Sequence, residues 1–386
     1  MQTITMIDTL HDDVLSALAV WTTEQAVTIQ QIAAPTFAEA ERAAFVCAEM
    51  QQLGLKHVET DALHNVYGMI AGASPGSPVL LIVAHTDTVF SAATDLTTRR
   101  DGHLIYGPGL GDNSVGVAGM LAFARFLHDE QIVPACDVWC IATSREEGLG
   151  DLGGMKAAYA RFADRLGEVI NLEGLAYGHV YNGGIAVRRL CISAHADGGH
   201  SWLHFGRPSA VHGLTMLGAK ICSLQPPAAP RATYNIGMIE GGTAINAIAT
   251  EARLWLDLRS ETMSGVEALE KQVRGHVKAL STDGLTFKIE IVGDRPSGAV
   301  PQTHPLVQDA LAVLRQLGVE GTLETGSTDA NIPLSHGCPA VTIGITRGGN
   351  AHRTDEYIET EPIADGLKLL ISLSLTTATR IAGVSS

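Results

Sequence analysis

Histidines and carboxylates recur at the ends of apolar runs in this sequence, and that placement is the first clue to chemistry. The run V-L-L-I-V-A-H-T-D-T-V sets His85 and Asp87 just past a buried strand, where open α/β sheets place their ligands. Residues two apart face the same side, so Asp87 can orient the imidazole of His85 and leave its other nitrogen for a metal ion. A structural histidine capped by a loop carboxylate has the same pattern. The run Y-G-P-G-L-G-D-N-S-V-G-V-A-G carries Asp112 on a glycine-rich turn ahead of a helix that begins near Ser114. Gly107, Gly109 and Gly111 suggest a dinucleotide loop. The spacing fails, because the third glycine of G-x-G-x-x-G falls on Asp112, whose carboxylate would oppose a pyrophosphate. An ordinary helix N-cap is the plainer alternative.

Two adjacent glutamates, Glu146 and Glu147, follow the β-rich run ending I-A-T-S-R. They are either a solvated loop pair or a division of labour between a metal ligand and a proton shuttle. A further strand ends in Glu173, and another leads through R-G-G-N to His352. A donor set of nitrogen and oxygen without sulfur suits zinc, with manganese or cobalt also possible.

These residues need a scaffold that brings strand ends together. Strands are predicted at Asn65 to Ile70, Val79 to Ala84, Asp137 to Ala142 and Val169 to Leu172. Helices are predicted at Ala38 to Leu53, Ser114 to His128 and Leu152 to Phe162. Alternation of this kind implies an α/β fold with a mostly parallel sheet flanked by helices. From Val187 to Val292 the pattern becomes strand, helix, strand, strand, helix, strand, which is a ferredoxin-like β-α-β-β-α-β unit. A helix near Leu306 to Leu317 and a strand at Ala340 to Ile345 then resume the first pattern. The expected organisation is a catalytic domain of residues 1–185 and 297–386, with residues 186–296 inserted as a ferredoxin-like domain.

Composition narrows the partners. Acidic residues outnumber Lys plus Arg by 41 to 26, a net charge of -15, which repels nucleic acid and anionic lipid. Met1 to Leu18 carries Asp8, Asp12 and Asp13 and lacks the pattern of a signal peptide, and no run is apolar enough to span a bilayer. The six cysteines are scattered without a C-x-x-C pair. Reduced thiols in a cytoplasmic protein are therefore expected.

With these motifs in hand, the chain resembles the two-zinc metallopeptidase family of peptidase T, aminoacylase, glutamate carboxypeptidase, acetylornithine deacetylase and succinyl-diaminopimelate desuccinylase. The likeness covers nearly the whole chain through H-T-D-T-V, G-D-N-S-V-G, E-E-G, N-L-E-G, G-G-T-A-I-N-A-I, D-L-R and A-H-R-T-D-E-Y, in the family's order. It implies that His85 and Glu173 bind one zinc, Glu147 and His352 a second, and Asp112 both. Glu146 would be the general base and Asp87 the residue that holds His85. In the inserted domain, His200 matches a position that reaches a partner subunit's active site in a homodimer. Asn246 and Arg259 match substrate contacts. Arg295 matches more loosely and stands equally as a surface arginine.

The implied activity is hydrolysis of an amide bond in a small peptide or N-acyl amino acid. Glu173 favours an acylase or carboxypeptidase, because aminopeptidases of the family tend to have Asp there. G-S-T-D-A-N and H-T-D-T-V keep a peptidase T-like aminopeptidase as the alternative, and a non-catalytic metal-binding protein of the same fold is a third reading. Ala249 stands where the family has proline and Arg353 where it has serine, both at the rim of the expected pocket.

Overall fold

The computed structural model describes residues 11–383, so the part of the N-terminal reading that falls on residues 1–10 lies outside it. The chain forms two compact units. One runs to Gly184 and resumes at Gly298, and the other is Ile185–Ser297.

The first unit is built on a nine-stranded mixed sheet. At its centre Val138–Thr143, Val79–His85, Leu166–Leu172 and Ala340–Ile343 lie side by side and parallel. Val79–His85 and Val138–Thr143 are buried at every residue, as expected where helices cover both faces of a parallel sheet. Antiparallel strands extend the sheet on both sides, with Lys56–Thr60 and Val66–Ile70 on one and His179–Gly184 on the other. Helix Val115–Asp129 packs against Val79–His85 and is itself covered by Asp12–Gln30 and Ile363–Ile381.

Parallel strands share one direction. All four central strands therefore end at the same edge of the sheet, which delivers His85, the Thr143–Glu147 segment, Glu173 and the loop after Ile343 to one place. The last central strand stops at Ile343, two residues before its predicted end. The next residue is Gly344, where a Cβ atom would lie 2.0 Å from the Tyr177 nitrogen.

The second unit has the order β-α-β-β-α-β. Its sheet runs Ala232–Gly241, Glu251–Ser260, Ala186–Ala196, Leu285–Arg295, antiparallel throughout. Burial alternates residue by residue along Glu251–Ser260, so one face packs on helices Ala210–Cys222 and Met263–Leu280 through Leu254, Leu256 and Leu258. The opposite face presents Arg253, Trp255, Asp257 and Arg259.

No helix among the described residues is long and apolar enough to cross a membrane. Cys136, Cys140 and Cys191 are buried and Cys222 is exposed, all as free thiols.

Candidate metal centre

The glycine-rich turn shows how a carboxylate is aimed. Gly109 adopts a left-handed φ of 72°, and residues 110–114 form a single irregular turn before the helix. Glu356, fully buried, accepts hydrogen bonds from the backbone N–H groups of Gly111 at 2.6 Å, Asp112 at 2.8 Å and Gly109 at 3.3 Å. Burial pushes the Glu356 carboxyl up to about 7, against the pull of those donors. Asn113 fastens the other side, donating to the Leu172 carbonyl at 2.7 Å and accepting from Gly174 N–H at 2.9 Å. Those two groups flank Glu173. The Asp112 side chain is thereby free to face away from its own helix, so the N-cap reading does not hold.

Asp112 stands between two imidazoles. Its Oδ1 lies 3.0 Å from His85 Nε2 and its Oδ2 lies 3.0 Å from His352 Nε2. Glu173 Oε2 is 3.6 Å from the same nitrogen of His85, and Glu147 Oε1 is 3.1 Å from that of His352. Two donor groups result, His85 with Asp112 and Glu173, and Asp112 with Glu147 and His352. His85, Glu146 and Glu147 form a third. Each group has donor atoms within 4.8 Å of one another.

The hairpin of Gly348–Gly349 and Tyr357–Glu359 carries His352 in its loop, so one loop supplies both His352 and Glu356 to the Asp112 turn. Arg353, where the family more often has serine, folds back on Asp355 at 2.8 Å within that loop.

Electrostatics supports a cation at this place. Among the described residues, the ion pairs of Asp112, Glu147 and Glu173 are with His85 and His352 only. Burial alone would raise the Asp112 carboxyl, yet the two histidines hold it well below the usual carboxylate range. Burial likewise opposes charge on His85, but Glu173 and Asp112 raise its pKa well above the ordinary value. His352 is pushed up to about 10 by Asp112 and Glu147. The pocket thus recruits positive charge, and its nitrogen and oxygen donors fit zinc.

Asp87 meets His85 through its main chain and the glutamate pair through its carboxylate. The His85 Nδ1 atom is 3.1 Å from the Asp87 main-chain oxygen and 3.6 Å from its carboxylate, so the hydrogen bond goes to the main chain. The carboxylate accepts from the backbone N–H groups of Glu146 at 2.8 Å and Glu147 at 3.0 Å, and from the Thr36 hydroxyl at 2.8 Å. One buried side chain therefore ties the His85 loop to the glutamate pair. Glu146 and Glu147 are 5% and 7% exposed, which excludes a solvated loop pair.

His200, Asn246, Arg259 and Arg295 lie in the second unit. His200 is exposed on Gly199–His200, which pairs with Ala247–Ile248, and the Asn246 carbonyl accepts from Ser201 N–H at 3.0 Å. Arg259 and Arg295 both register with Val187 on the strand between them. Arg295 is only 3% exposed and so is not a surface arginine. Arg189 lies on the same central strand, two residues from Val187. Burial lowers its pKa and neighbouring Arg295 adds to that, while Asp257 at 3.3 Å opposes it. Thr36, Arg189 and Glu356 do not stand out in the sequence. Glu356 lies inside the A-H-R-T-D-E-Y motif, and its acidic character is the one available signal.

Comparison with known proteins shows what the chain is similar to. The chain is 27% identical over 327 residues to acetylornithine deacetylase of Erwinia tasmaniensis, covering 77% of this chain and 79% of that one. Its fold is similar to that of aminopeptidase PepT from Bacillus cereus, with a TM-score of 0.73 and 20% identity over 93% of this chain and 99% of the other. It is also similar to Bacillus subtilis YxeP, described as a dinuclear metal-binding peptidase, with a TM-score of 0.67 and 15% identity over 94% and 98% of the two chains. The sequence profile of peptidase family M20/M25/M40 matches residues 81–376, and with that span the chain belongs to this family of hydrolases.

Proposed function

We propose that the protein is a two-zinc amidohydrolase that cleaves an amide bond in a small peptide or N-acyl amino acid. The observation that carries the reading is Asp112, whose two oxygens each lie 3.0 Å from a different histidine. His85, Asp112 and Glu173 would hold one cation, and Asp112, Glu147 and His352 the other. Bound there, the pair would polarise the scissile carbonyl and acidify the attacking water.

The chain's own residues do the rest. Glu146 is buried at the strand end with its backbone N–H held by Asp87, and its carboxylate accepts the proton of water. It then returns that proton to the departing amine. Asp87 keeps the glutamate pair and the His85 loop in one arrangement.

Glu173 supports an acylase or carboxypeptidase over a peptidase T-like aminopeptidase. Arg259 and Arg295, with Asn246, are suited to the substrate's carboxylate. On this reading the protein is cytoplasmic, and the substrates are small molecules. Chelation is expected to abolish turnover and added zinc to restore it. N-acetyl amino acids and dipeptides, assayed beside tripeptides, should show deacylation or release of the C-terminal residue. Release of N-terminal residues alone would replace this substrate class with the aminopeptidase, and turnover untouched by chelation would sink the zinc assignment. Zinc binding without turnover of any of them would favour a non-catalytic metal-binding protein.

A homodimer joined through the second unit is also proposed, with His200 completing the partner's site and stabilising the oxyanion. Supporting this, His200 is followed by Trp202 and Phe205, 83% and 92% exposed, and edge strand Ala232–Gly241 leaves Met238 and Ile239 uncovered. Mixing inactive His200→Ala and Glu146→Gln proteins should restore activity toward about a quarter of wild type. Half of the dimers are then mixed, and each has one intact site of two. No recovery after demonstrated subunit exchange would refute supply in trans.

A further inference from the structure

A buried carboxyl that takes no part in the proposed chemistry sits against the end of the central strand that leads to the glutamate pair. Asp329 is 1% exposed, belongs to the G-S-T-D-A-N run, and accepts a hydrogen bond from the Thr143 hydroxyl at 2.5 Å through one oxygen. Its other oxygen is buried without a hydrogen-bond partner. Burying a carboxyl in that condition costs free energy that packing does not require. Such a group belongs where a particular geometry is being enforced.

The partners show which geometry. Thr143 registers directly with His85 and ends the strand that continues into Glu146 and Glu147. Thr328, the residue before Asp329, has its hydroxyl 3.1 Å from that of Thr342, which accepts from Asn171 at 3.1 Å. Asn171 lies two residues before Glu173 on the neighbouring strand and registers with Val83, two residues before His85. Thr328 is itself fixed, its N–H donating to Asn331 Oδ1 at 3.1 Å. Two adjacent residues of one segment therefore reach two strand ends, Asp329 directly at Thr143 on the one that leads to Glu147, and Thr328 through the Thr342 hydroxyl, which receives Asn171 of the one that leads to Glu173. Those glutamates share no donor group with each other, while Asp112 and His85 are each grouped with both.

We propose that half-buried Thr328 and buried Asp329 form a clamp that sets the spacing of the two cation positions, with Asp329 as a positioning residue acting through the Thr143 hydroxyl. This inference rests on the two-cation reading of the site. The clamp works as a hydrogen-bond acceptor, so charge is not its active ingredient. Removing a partner that orients metal-binding side chains typically costs about 10- to 100-fold in metal affinity.

The test is zinc titration of the purified protein against a chromophoric chelator, with circular dichroism as the check on folding. Asp329→Ala is expected to weaken zinc binding at least about 10-fold, most at the weaker-binding position, while Asp329→Asn, which keeps an acceptor oxygen for Thr143, stays within about threefold of wild type. Wild-type affinity in a folded Asp329→Ala protein would overturn the clamp. Equal loss in the Ala and Asn variants would overturn it too, because charge would then be the active property. Should Asp329→Ala fail to fold, Thr143→Val and Thr143→Ser make the same comparison from the other side, and equal affinities in that pair would refute the proposal. Absence of zinc binding by the wild-type protein would instead refute the metal centre, so the two failures are distinguishable.

Discussion

Glu146→Gln should leave a folded, zinc-loaded protein whose kcat has fallen by about 10²- to 10⁴-fold. The amide side chain has nearly the volume of the carboxylate, and the backbone N–H at this position keeps its hydrogen bond to Asp87 at 2.8 Å. What is lost is the ability to accept water's proton and pass it to the leaving amine. A loss confined to the chemical step lowers kcat and kcat/KM together and leaves substrate binding largely intact. Glu147→Ala should behave differently, because Glu147 Oε1 lies 3.1 Å from His352 Nε2 and contributes to the second donor group. That variant should bind less zinc. The contrast matters because Glu146 also lies within reach of His85 and Glu147, so proximity alone would allow it to be a ligand. Zinc content of the two variants, measured beside turnover, separates the roles. Equal zinc loss in both, or near-normal turnover in Glu146→Gln, would reverse them.

Parts of this architecture are legible in the sequence because burial imposes period and composition. Val79–His85 reads as a strand since all of its residues are buried, and Glu251–Ser260 reads as one because its burial alternates. The β-α-β-β-α-β order follows from such segments alone. Lys56–Thr60 is an exposed, charged edge strand whose pairing with Val66–Ile70 leaves no apolar pattern by which to recognise it. Thr322–Gly326 has the same character. Helix Ile363–Ile381 escapes notice for a different reason. It is buried on so much of its circumference, including Ser372, Ser374 and Thr377, that polar residues interrupt the apolar stripe by which a helix is recognised.

The site divides along similar lines. Residues that aim side chains from strand ends are visible because acidic and imidazole groups stand out against apolar runs. The groups that hold them are not, since Thr36 reaches across the chain to the Asp87 carboxylate, and Asn113 and Glu356 act on backbone groups of distant residues. Asp87 is conspicuous for its proximity to His85. Its larger share of hydrogen bonds, to the backbone of Glu146 and Glu147, exists only once the two parallel strands lie side by side.

Asp112 is where all of these supports converge, and its replacement is expected to have the broadest effect on metal binding. Each of its oxygens faces a different histidine at 3.0 Å, and its turn is held by Glu356 on one side and Asn113 on the other. Truncation to alanine withdraws one donor from each cation position at once. It also leaves the remaining carboxylates, Glu147 and Glu173, each with a single histidine partner. Asp112→Ala should therefore retain neither zinc ion through gel filtration, whereas Glu147→Ala should retain one. The same difference should appear in thermal stability. A ligand at 100 times its Kd stabilises the folded state by about 2.7 kcal/mol, so the wild-type Tm should rise by several degrees on adding zinc to the metal-free protein. Asp112→Ala should show little or no rise, and Asp112→Asn, which keeps one acceptor oxygen, an intermediate one. A zinc-dependent rise in Asp112→Ala equal to that of the wild type would mean that the cations are held without it, and the bridging assignment would have to be abandoned.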